Sequence, residues 1–333
     1  MTSAQSSPFL KQLYGLALQA DVQAVLQRIS EADPTKLSAE ERSVVGRFQR
    51  RFGDTDNDND ASALAQPAKQ LLAIYHGYWK QVLLQQVNLP TGEERLRLAL
   101  LDWLGRYATR PIETTEIDFD RIEAAVIETM AEVGFYTLCG VTLPLRELMV
   151  WRSQRRQEFE IALADGPVKL PIVFLGDFVS RGWAYFATAD RYGAGGWVSN
   201  EALYCIEEAY NIESESFRVN YLVHEAQHYA DRQRDPEIAT AHLEYRAKLA
   251  ELAQIEDPAA LLAVWQPQAS YRSKENPHAW ANAQVLEHVS ERLNSEFESE
   301  QPWQDAAPER IRHIAAELLR QDSQTLPPRA KDH

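Results

Sequence analysis

Apolar residues recur at helical spacing through the first third of the chain. The spacing predicts amphipathic helices over residues 8–32, 38–52, 63–87, 93–108 and 117–133. Ser38 and Glu41 have the spacing of a capping box, which marks the start of the second helix. Tyr75, Tyr78 and Trp79 form an aromatic stripe that is typical of core packing. These patterns predict a helical N-terminal region over residues 1–133.

The pattern changes after about residue 134, where β-prone stretches separated by glycine replace the helical spacing. We expect short strands over residues 171–175, 183–186 and 197–205. Helical spacing resumes near Phe217 and continues to about residue 321. The predicted fold class is therefore α+β and predominantly helical, with a small β-sheet in a domain of residues 134–322. Residues 323–333 are expected to form a disordered tail.

Composition narrows the class of partner. The chain has 333 residues, of which 45% are hydrophobic and 25% charged, as in ordinary globular proteins. Its net charge of -15 repels phosphate backbones, so no nucleic acid partner is expected. No apolar stretch is long enough for a membrane span, and no signal peptide is recognisable. The default expectation is a cytoplasmic location, or a periplasmic or secreted one if a leader has been removed.

Neither the two cysteines nor the acidic run 54–60 predicts a metal site. Cys139 and Cys205 are the only cysteines, which excludes a disulfide scaffold and a Cys-x-x-Cys metal pair but leaves a single disulfide open. The acidic run 54–60 alternates aspartates like a calcium loop. The loop requires Gly and Glu where this chain has Asn59 and Ala65, so the run is interpreted as a solvated linker.

The candidate chemistry lies in the segment His-Glu-Ala-Gln-His. His224 and His228 stand four residues apart, which on a helix places both imidazoles on one face, where they can bind one metal ion. Glu225 points to the adjacent side and can take a proton from water that the metal activates. A surface helix with two ordinary histidines is the alternative. The apolar neighbours favour a buried helix, where unpaired charge is costly, and so favour a metal site.

This segment resembles the zincin metallopeptidases and, more narrowly, the gluzincins. In that family a Glu on a following helix supplies the third protein ligand of a zinc ion, and Glu244 matches it best. The metzincin branch requires Gly and His where this chain has Asp231 and Arg234. Many gluzincins carry an acidic residue four places after the Glu ligand, where this chain has Lys248. The resemblance covers residues 170–300 and implies a zincin-like catalytic core with an active-site helix.

Other side chains compete with Glu244 for the third ligand position. Glu237 lies in the first turn of the same predicted helix, which an Asp-Pro pair would begin, and Asp231 and His242 lie close in sequence. Asp231 stands one turn beyond the second histidine. It is therefore placed to accept the free N–H of a metal-bound imidazole, or it is merely solvated.

The resemblance also implies where a substrate binds. Zincins commonly place an edge strand beside the cleft, upstream of the active-site helix, and the substrate adds to it as a further strand. Residues 195–203 have this place in the sequence, which makes Trp197, Ser199 and Asn200 the candidate substrate-binding residues. An ordinary hairpin strand is an equal alternative.

A tetrahedral intermediate needs a hydrogen-bond donor for its oxyanion. Gluzincins typically use a Tyr or His from the C-terminal part of the domain, and the candidates here are Tyr271 and His278. His278 precedes a predicted helix over residues 279–297. His288, inside that helix, is interpreted as a core or surface histidine.

The predicted function is zinc-dependent hydrolysis of peptide bonds in a peptide or protein substrate. His224, His228 and Glu244 would hold the ion, with Glu225 as the general base. A non-catalytic zincin-like binding or scaffold protein that uses its helical N-terminal half is the alternative, favoured by Lys248 and disfavoured by Glu225. A purely structural zinc site is disfavoured, because no Cys cluster is present. The sequence leaves oligomeric state and specificity open, although the lack of an exopeptidase signature favours endopeptidase cleavage.

Overall fold

The structure is a computed structural model that describes residues 7–53, 64–110, 118–199, 201–271, 276–294, 296 and 299–327. Over these residues the chain forms twelve α-helices and a five-stranded sheet, which confirms a mixed α+β fold. The chain divides into two compact units. The N-terminal unit comprises Met1–Gln154 and Leu175–Ala194, and the C-terminal unit comprises Arg155–Phe174 and Gly195–His333.

The N-terminal unit is built from helices around an apolar core. Its helices are α1 (Pro8–Leu18), α2 (Val22–Glu31), α3 (Ala39–Phe52), α4 (Gln66–Leu83), α5 (Leu89–Tyr107), α6 (Phe119–Glu132) and α7 (Trp183–Ala187). The aromatic stripe of α4 is buried as predicted, with Tyr75 and Trp79 inaccessible to solvent. Apolar burial of this kind is the main source of stability in a helical unit.

Local signals set the helix boundaries. The capping box of α3 is confirmed, because the Ser38 hydroxyl accepts from the Glu41 N–H and the Glu41 carboxylate accepts from the Ser38 N–H. The single helix predicted over residues 8–32 is wrong. Ala20 has a φ of 61°, which reverses the chain, and Asp21 caps α2 by accepting from the N–H of Ala24.

The sheet has the strand order β1-β2-β3-β5-β4. Its strands are β1 (Tyr136–Thr142), β2 (Leu145–Leu163), β3 (Gly166–Arg181), β4 (Gly196–Val198) and β5 (Leu203–Ile206). β1 pairs antiparallel with β2, and β4 pairs antiparallel with β5. The long strands β2 and β3 contribute residues to both units, so the division does not coincide with the boundary predicted at residue 133.

Two of the predicted strands differ from the structure. Residues 183–186 lie in helix α7, which follows Gly182 at a φ of 88°. The predicted strand over residues 197–205 is two strands, β4 and β5, and between them the Ser199 hydroxyl accepts from the N–H groups of Glu201 and Ala202. Strand β2 was not predicted, since residues 152–158 are polar and exposed on both faces and show no apolar alternation.

The C-terminal unit contains α8 (His224–Arg234), α9 (Thr240–Leu252), α10 (Pro258–Trp265), α11 (Pro277–Leu293) and α12 (Pro308–Asp322). Helix α9 is central: it packs against α8, α11 and α12, and every residue from Leu243 to Leu252 is buried. Residues 323–325 form a 3₁₀ turn instead of beginning a disordered tail, and residues 328–333 of that predicted tail lie outside the described residues.

Three further expectations can be compared with the structure. Cys139 and Cys205 are free thiols, and burial raises the pKa of each to about 12. The acidic run 54–60 lies outside the described residues. Within the part of the chain that the structure describes, no helix combines the length and the apolar character needed to cross a bilayer.

Candidate metal centre

The motif lies on a long helical stretch of the C-terminal unit. π-Helical turns over Ser216–Val223 continue directly into α8, which begins at His224. Such π-helical turns occur frequently at functional sites. α8 ends before Asp235, whose backbone is extended, because the residue preceding a proline (here Pro236) is disfavoured in a helical conformation.

His224, His228 and Glu244 form a cluster between α8 and α9. The Nε2 atom of His224 lies 3.5 Å from Glu244 Oε2, and the Nε2 atom of His228 lies 3.3 Å from Glu244 Oε1. Two ligand atoms held about 2.1 Å from a tetrahedral ion are about 3.4 Å apart. The three side chains are at most 12% exposed. Their donor atoms lie within 4.8 Å of one another, and the group could hold a metal ion.

Glu251, which the sequence analysis missed, orients the first imidazole. Its Oε1 atom lies 2.6 Å from His224 Nδ1, and its Oε2 atom accepts a 2.9 Å hydrogen bond from Asn220. Glu251 is two turns after Glu244 on the same face of α9, and this spacing was the signal available in the sequence. A carboxylate in this position fixes the ring and leaves Nε2 directed toward Glu244.

Lys248 stands where many gluzincins carry an acidic residue, and it contributes no carboxylate. Its Nζ atom lies 4.5 Å from the centroid of the Trp265 ring, a cation–π contact. Burial lowers the pKa of Lys248, while the charges of Glu251 and Glu244 oppose the shift. The carboxylate on α9 that contacts His224 is Glu251, one turn after Lys248.

The charges around the cluster suit a cation. Burial would lower the pKa of His224, but the hydrogen bond and charge of Glu251 outweigh it and hold that pKa above its ordinary value. Burial would raise the pKa of Glu244, but its contacts with His228 and His278 hold that pKa well below its usual range. The negative charges of Glu225, Glu244 and Glu251 thus surround the imidazoles, an arrangement that a bound cation neutralises.

A buried ionic network fixes α8 against α9. Arg246 is inaccessible to solvent and pairs with Asp231 on α8, at 2.8 Å and 3.0 Å. It also pairs with Asp322 at 2.6 Å and with Asp165 at 3.3 Å. Because Glu244 is two residues before Arg246 on α9, this network sets the position of Glu244 relative to the two histidines.

The same network overturns one expectation. Asp231 accepts from Gln227 at 2.9 Å as well as from Arg246, so it does not serve a metal-bound imidazole. The Nδ1 atom of His228 is buried and has no hydrogen-bond partner among the described residues. Asp231 lies on the face of α8 that meets Arg246, which is the physical reason for the difference.

The other competitors for the third ligand lie elsewhere. Glu237 is exposed in the turn before α9, which begins at Thr240 and not at the Asp-Pro pair. His242 directs its Nε2 atom toward Asp322 Oδ2, 2.8 Å away. Glu244 is therefore the residue that the structure brings to His224 and His228.

The two candidates for the oxyanion donor, His278 and Tyr271, have different partners, and so does His288. His278, in the first turn of α11, has its Nδ1 atom 2.8 Å from Glu244 Oε2, and 65% of its side chain is exposed. Tyr271 instead donates its hydroxyl proton to Glu287 on α11, and burial together with Glu287 raises its pKa. His288 contacts the Tyr245 hydroxyl at 2.8 Å. Of the three, His278 is the one that meets the cluster.

Two tyrosines on the Glu225 side of the helix were also missed. The rings of Tyr210 and Tyr221 lie 4.4 Å apart, and the Tyr221 hydroxyl donates to the carbonyl of Tyr204 at 3.1 Å. Burial raises the pKa of Tyr210 to about 12, and the charges of Cys205 and Glu225 add to the shift. Tyr221 is four residues before Glu225, a spacing that indicates a shared helix face, whereas Tyr210 carried no sequence signal.

Strand β4 lies at the end of the sheet and pairs with β5. Trp197 stacks on Tyr204 with ring centroids 5.1 Å apart. The Ser199 hydroxyl is occupied by the β4–β5 turn, and Asn200 lies outside the described residues.

Comparison of the chain with protein-family models, with curated proteins and with solved structures finds no match.

Proposed function

We propose that the protein is a zinc-dependent metallopeptidase of zincin-like, gluzincin-type construction. The observation that carries the proposal is the convergence of His224, His228 and Glu244 on one point, with Glu225 on the adjacent face of the same helix. Two imidazoles and one carboxylate are the protein ligands of a familiar class of catalytic zinc site, in which a fourth position stays open for water or substrate. The donor set therefore fits zinc.

The chain supplies the groups that such chemistry requires. A zinc ion, when bound, polarises the substrate carbonyl and acidifies water. Glu225 is partly exposed, so its carboxylate can take a proton from water and return it to the leaving amine. Glu251 holds the ring of His224, and the Asp231–Arg246 pair holds α9 against α8. The exposed imidazole of His278 can donate to an oxyanion.

A peptide is the substrate that the surroundings favour. Strand β4 is at the edge of the sheet, so its outer backbone groups are available for strand addition. The Tyr221 hydroxyl packs against Gly196 at the start of β4, which places this edge beside the motif-bearing helical stretch. A peptide that pairs with β4 would thus run along the face of α8 that carries Glu225.

The test combines metal analysis with Glu225→Gln. We expect about one zinc per chain in the purified protein, measured by inductively coupled plasma mass spectrometry, and cleavage of a mixed peptide library. Glu225→Gln should retain zinc and reduce kcat by about 10²- to 10⁴-fold, since only the general base is removed. His224→Ala should lose zinc and activity together.

Glu237→Gln is the matched control, because Glu237 is an exposed glutamate in the turn after α8. It should leave zinc content and cleavage unchanged. A metal-free wild type, or full cleavage by Glu225→Gln, would contradict the proposal. If zinc binds, no peptide is cleaved, and Glu225→Gln is indistinguishable from wild type in partner binding, the scaffold alternative is favoured.

A further inference from the structure

Each end of strand β4 lies near the helical stretch that is formed by the π-helical turns and α8. At the start of β4, a side chain on Gly196 would collide with the Tyr221 hydroxyl, which is one turn before Glu225. At the end of β4, Val198 and Ser199 face the last turn of α8. The start of β4 is thus near the turn that precedes Glu225, and the end of β4 is near the last turns of α8.

A cavity of about 270 Å³ lies at the far end of this groove. It is lined by Val198, Ser199, Tyr229, Arg232, Gln233 and Pro236. The four lining residues that follow Glu225 in the chain are spaced at helical intervals from it along one side of α8 and just beyond its end. The cavity is thus reached from the same face of the helix that carries the proposed general base.

Arg232 brings a positive charge to the lining of this cavity. Its guanidinium is exposed and makes no hydrogen bond or ion pair with any residue that the structure describes. The neighbouring Arg234 differs, because it is held by Asp165 at 3.3 Å and by the carbonyl of Ser323 at 2.7 Å. Both lie in the last turn of α8, where a cation interacts favourably with the helix dipole, but of the two only Arg232 lines the cavity and has no partner among the described residues.

We infer that this cavity is a specificity pocket for an acidic side chain of the peptide substrate. The inference rests on the proposed peptidase function and adds its substrate class. A carboxylate matches the planar donors of Arg232 in geometry and in charge. The amide of Gln233 offers a further donor, and Val198 and Pro236 provide apolar walls for the methylene groups of a glutamate.

The geometry also gives the position of that side chain. Arg232 is seven residues after Glu225, which corresponds to about 10.5 Å along a helix. Three residues of an extended peptide cover about 10 Å. A substrate strand antiparallel to β4 has its N-terminal residues at the end of β4, and the pocket then accepts a residue about three positions N-terminal to the scissile bond, whereas a parallel strand would place that residue on the C-terminal side.

The experiment uses zinc-loaded wild type and a peptide set in which Glu, Gln or Lys is placed at each position around the cleaved bond. We expect the Glu peptide to exceed the Gln peptide in kcat/KM by about tenfold at one N-terminal position, through KM, and less at high salt. Arg232→Gln should abolish the preference, and Arg232→Glu should transfer it to the Lys peptide. Arg320→Gln, an exposed arginine in the last turn of α12, is the control that should keep it.

A second arm identifies the source of the carboxylate. Amidation of the peptide C-terminus should leave the preference for the Glu peptide intact. If amidation abolishes that preference, the pocket binds a terminal carboxylate and the assignment is overturned. Cleavage without any Glu preference, or a preference that survives Arg232→Glu, would also overturn it while the proposed function stands.

The failure of the proposed function is recognised separately. Fluorescence anisotropy with labelled, uncleaved peptides measures binding to the zinc-loaded Glu225→Gln protein and to its Arg232→Gln derivative. A Glu peptide should bind Glu225→Gln about tenfold more tightly than its Gln counterpart, and the double variant should not distinguish them. If no peptide is cleaved by wild type but this discrimination is found, the cavity binds an acidic side chain of a peptide and the peptidase proposal fails. If the discrimination is absent, the pocket assignment fails.

Discussion

The N-terminal unit and the C-terminal unit differ in how many charged side chains they bury. In the N-terminal unit the described residues enclose a mainly apolar and aromatic core with two buried carboxylates, Glu123 and Glu147, and ion pairs such as Arg51–Asp190 lie at the surface. In the C-terminal unit the adjoining helices α8 and α9 bury a set of charged and titratable groups: His228, Asp231, Glu244, Arg246, Lys248 and Glu251. A buried charge is costly unless it is paired, so this set indicates a site and not a device for stability.

The difference separates residues that stabilise the fold from residues that position the candidate metal ligands. Apolar substitutions in the N-terminal unit should change the free energy of unfolding and leave metal affinity unchanged. Substitutions among the buried charged residues between α8 and α9 should act on the geometry of the candidate metal centre, either by breaking the Arg246 network or by releasing an imidazole.

The largest effect is expected from Arg246→Met. Arg246 is fully buried, and its removal leaves the buried carboxylate of Asp231 without its ionic partner. The loss should destabilise the C-terminal unit by about 3–5 kcal/mol, measured by urea unfolding followed by circular dichroism. Arg51→Met, which removes an exposed pair, should cost no more than about 1 kcal/mol. Equal effects of the two variants would refute the contrast between the units.

Truncating a core side chain in the N-terminal unit should lower the free energy of unfolding by nearly as much, but it should leave zinc affinity unchanged. Leu71 on α4 is inaccessible to solvent, and Leu71→Ala should destabilise by about 2–5 kcal/mol through the cavity that it leaves. Leu98→Ala, at a residue that is 54% exposed, should stay within about 0.5 kcal/mol of wild type. Zinc affinity, measured by competition with a chelator, should be the same in both variants and wild type.

Glu251→Gln probes the buried charged residues between α8 and α9. The amide cannot replace the carboxylate that holds His224 Nδ1, so zinc affinity should fall by about 10- to 100-fold. Isothermal titration calorimetry of the metal-free protein measures the change. Glu237→Gln, at an exposed glutamate outside the cluster, should bind zinc like wild type. An unchanged affinity in Glu251→Gln would show that the contact with His224 does not support metal binding.

Much of the N-terminal unit could be predicted because its signals are local. Apolar spacing and a capping box are properties of neighbouring residues, and they located α3 within one residue of its start. The break at Ala20 was missed because its positive φ occurs at an alanine, so no glycine marks the turn in the sequence. Strand β2 was missed because its central residues carry polar side chains on both faces.

The candidate site was predictable where one helix carries it. The spacing of His224 and His228 is sufficient to place two imidazoles on one face, and Glu244 could be proposed only through a family resemblance. The partners of these residues depend on how α8 meets α9, which spacing along a single helix does not specify. This is why the spacing left Asp231 either beside an imidazole or solvated, whereas its partner is Arg246, 15 residues later on α9.

The smallest effect tests the local signals of the N-terminal unit. Ser38→Ala removes the hydroxyl that accepts from the Glu41 N–H and should destabilise by about 1 kcal/mol. Ser30→Ala is the control, because Ser30 lies within α2 and its hydroxyl donates to the carbonyl of Gln27 without capping a helix. Thermal unfolding measures both. Since α3 belongs to the N-terminal unit, Ser38→Ala should leave zinc affinity unchanged. A drop in zinc affinity would mean that the stability of the N-terminal unit and metal binding in the C-terminal unit are energetically coupled.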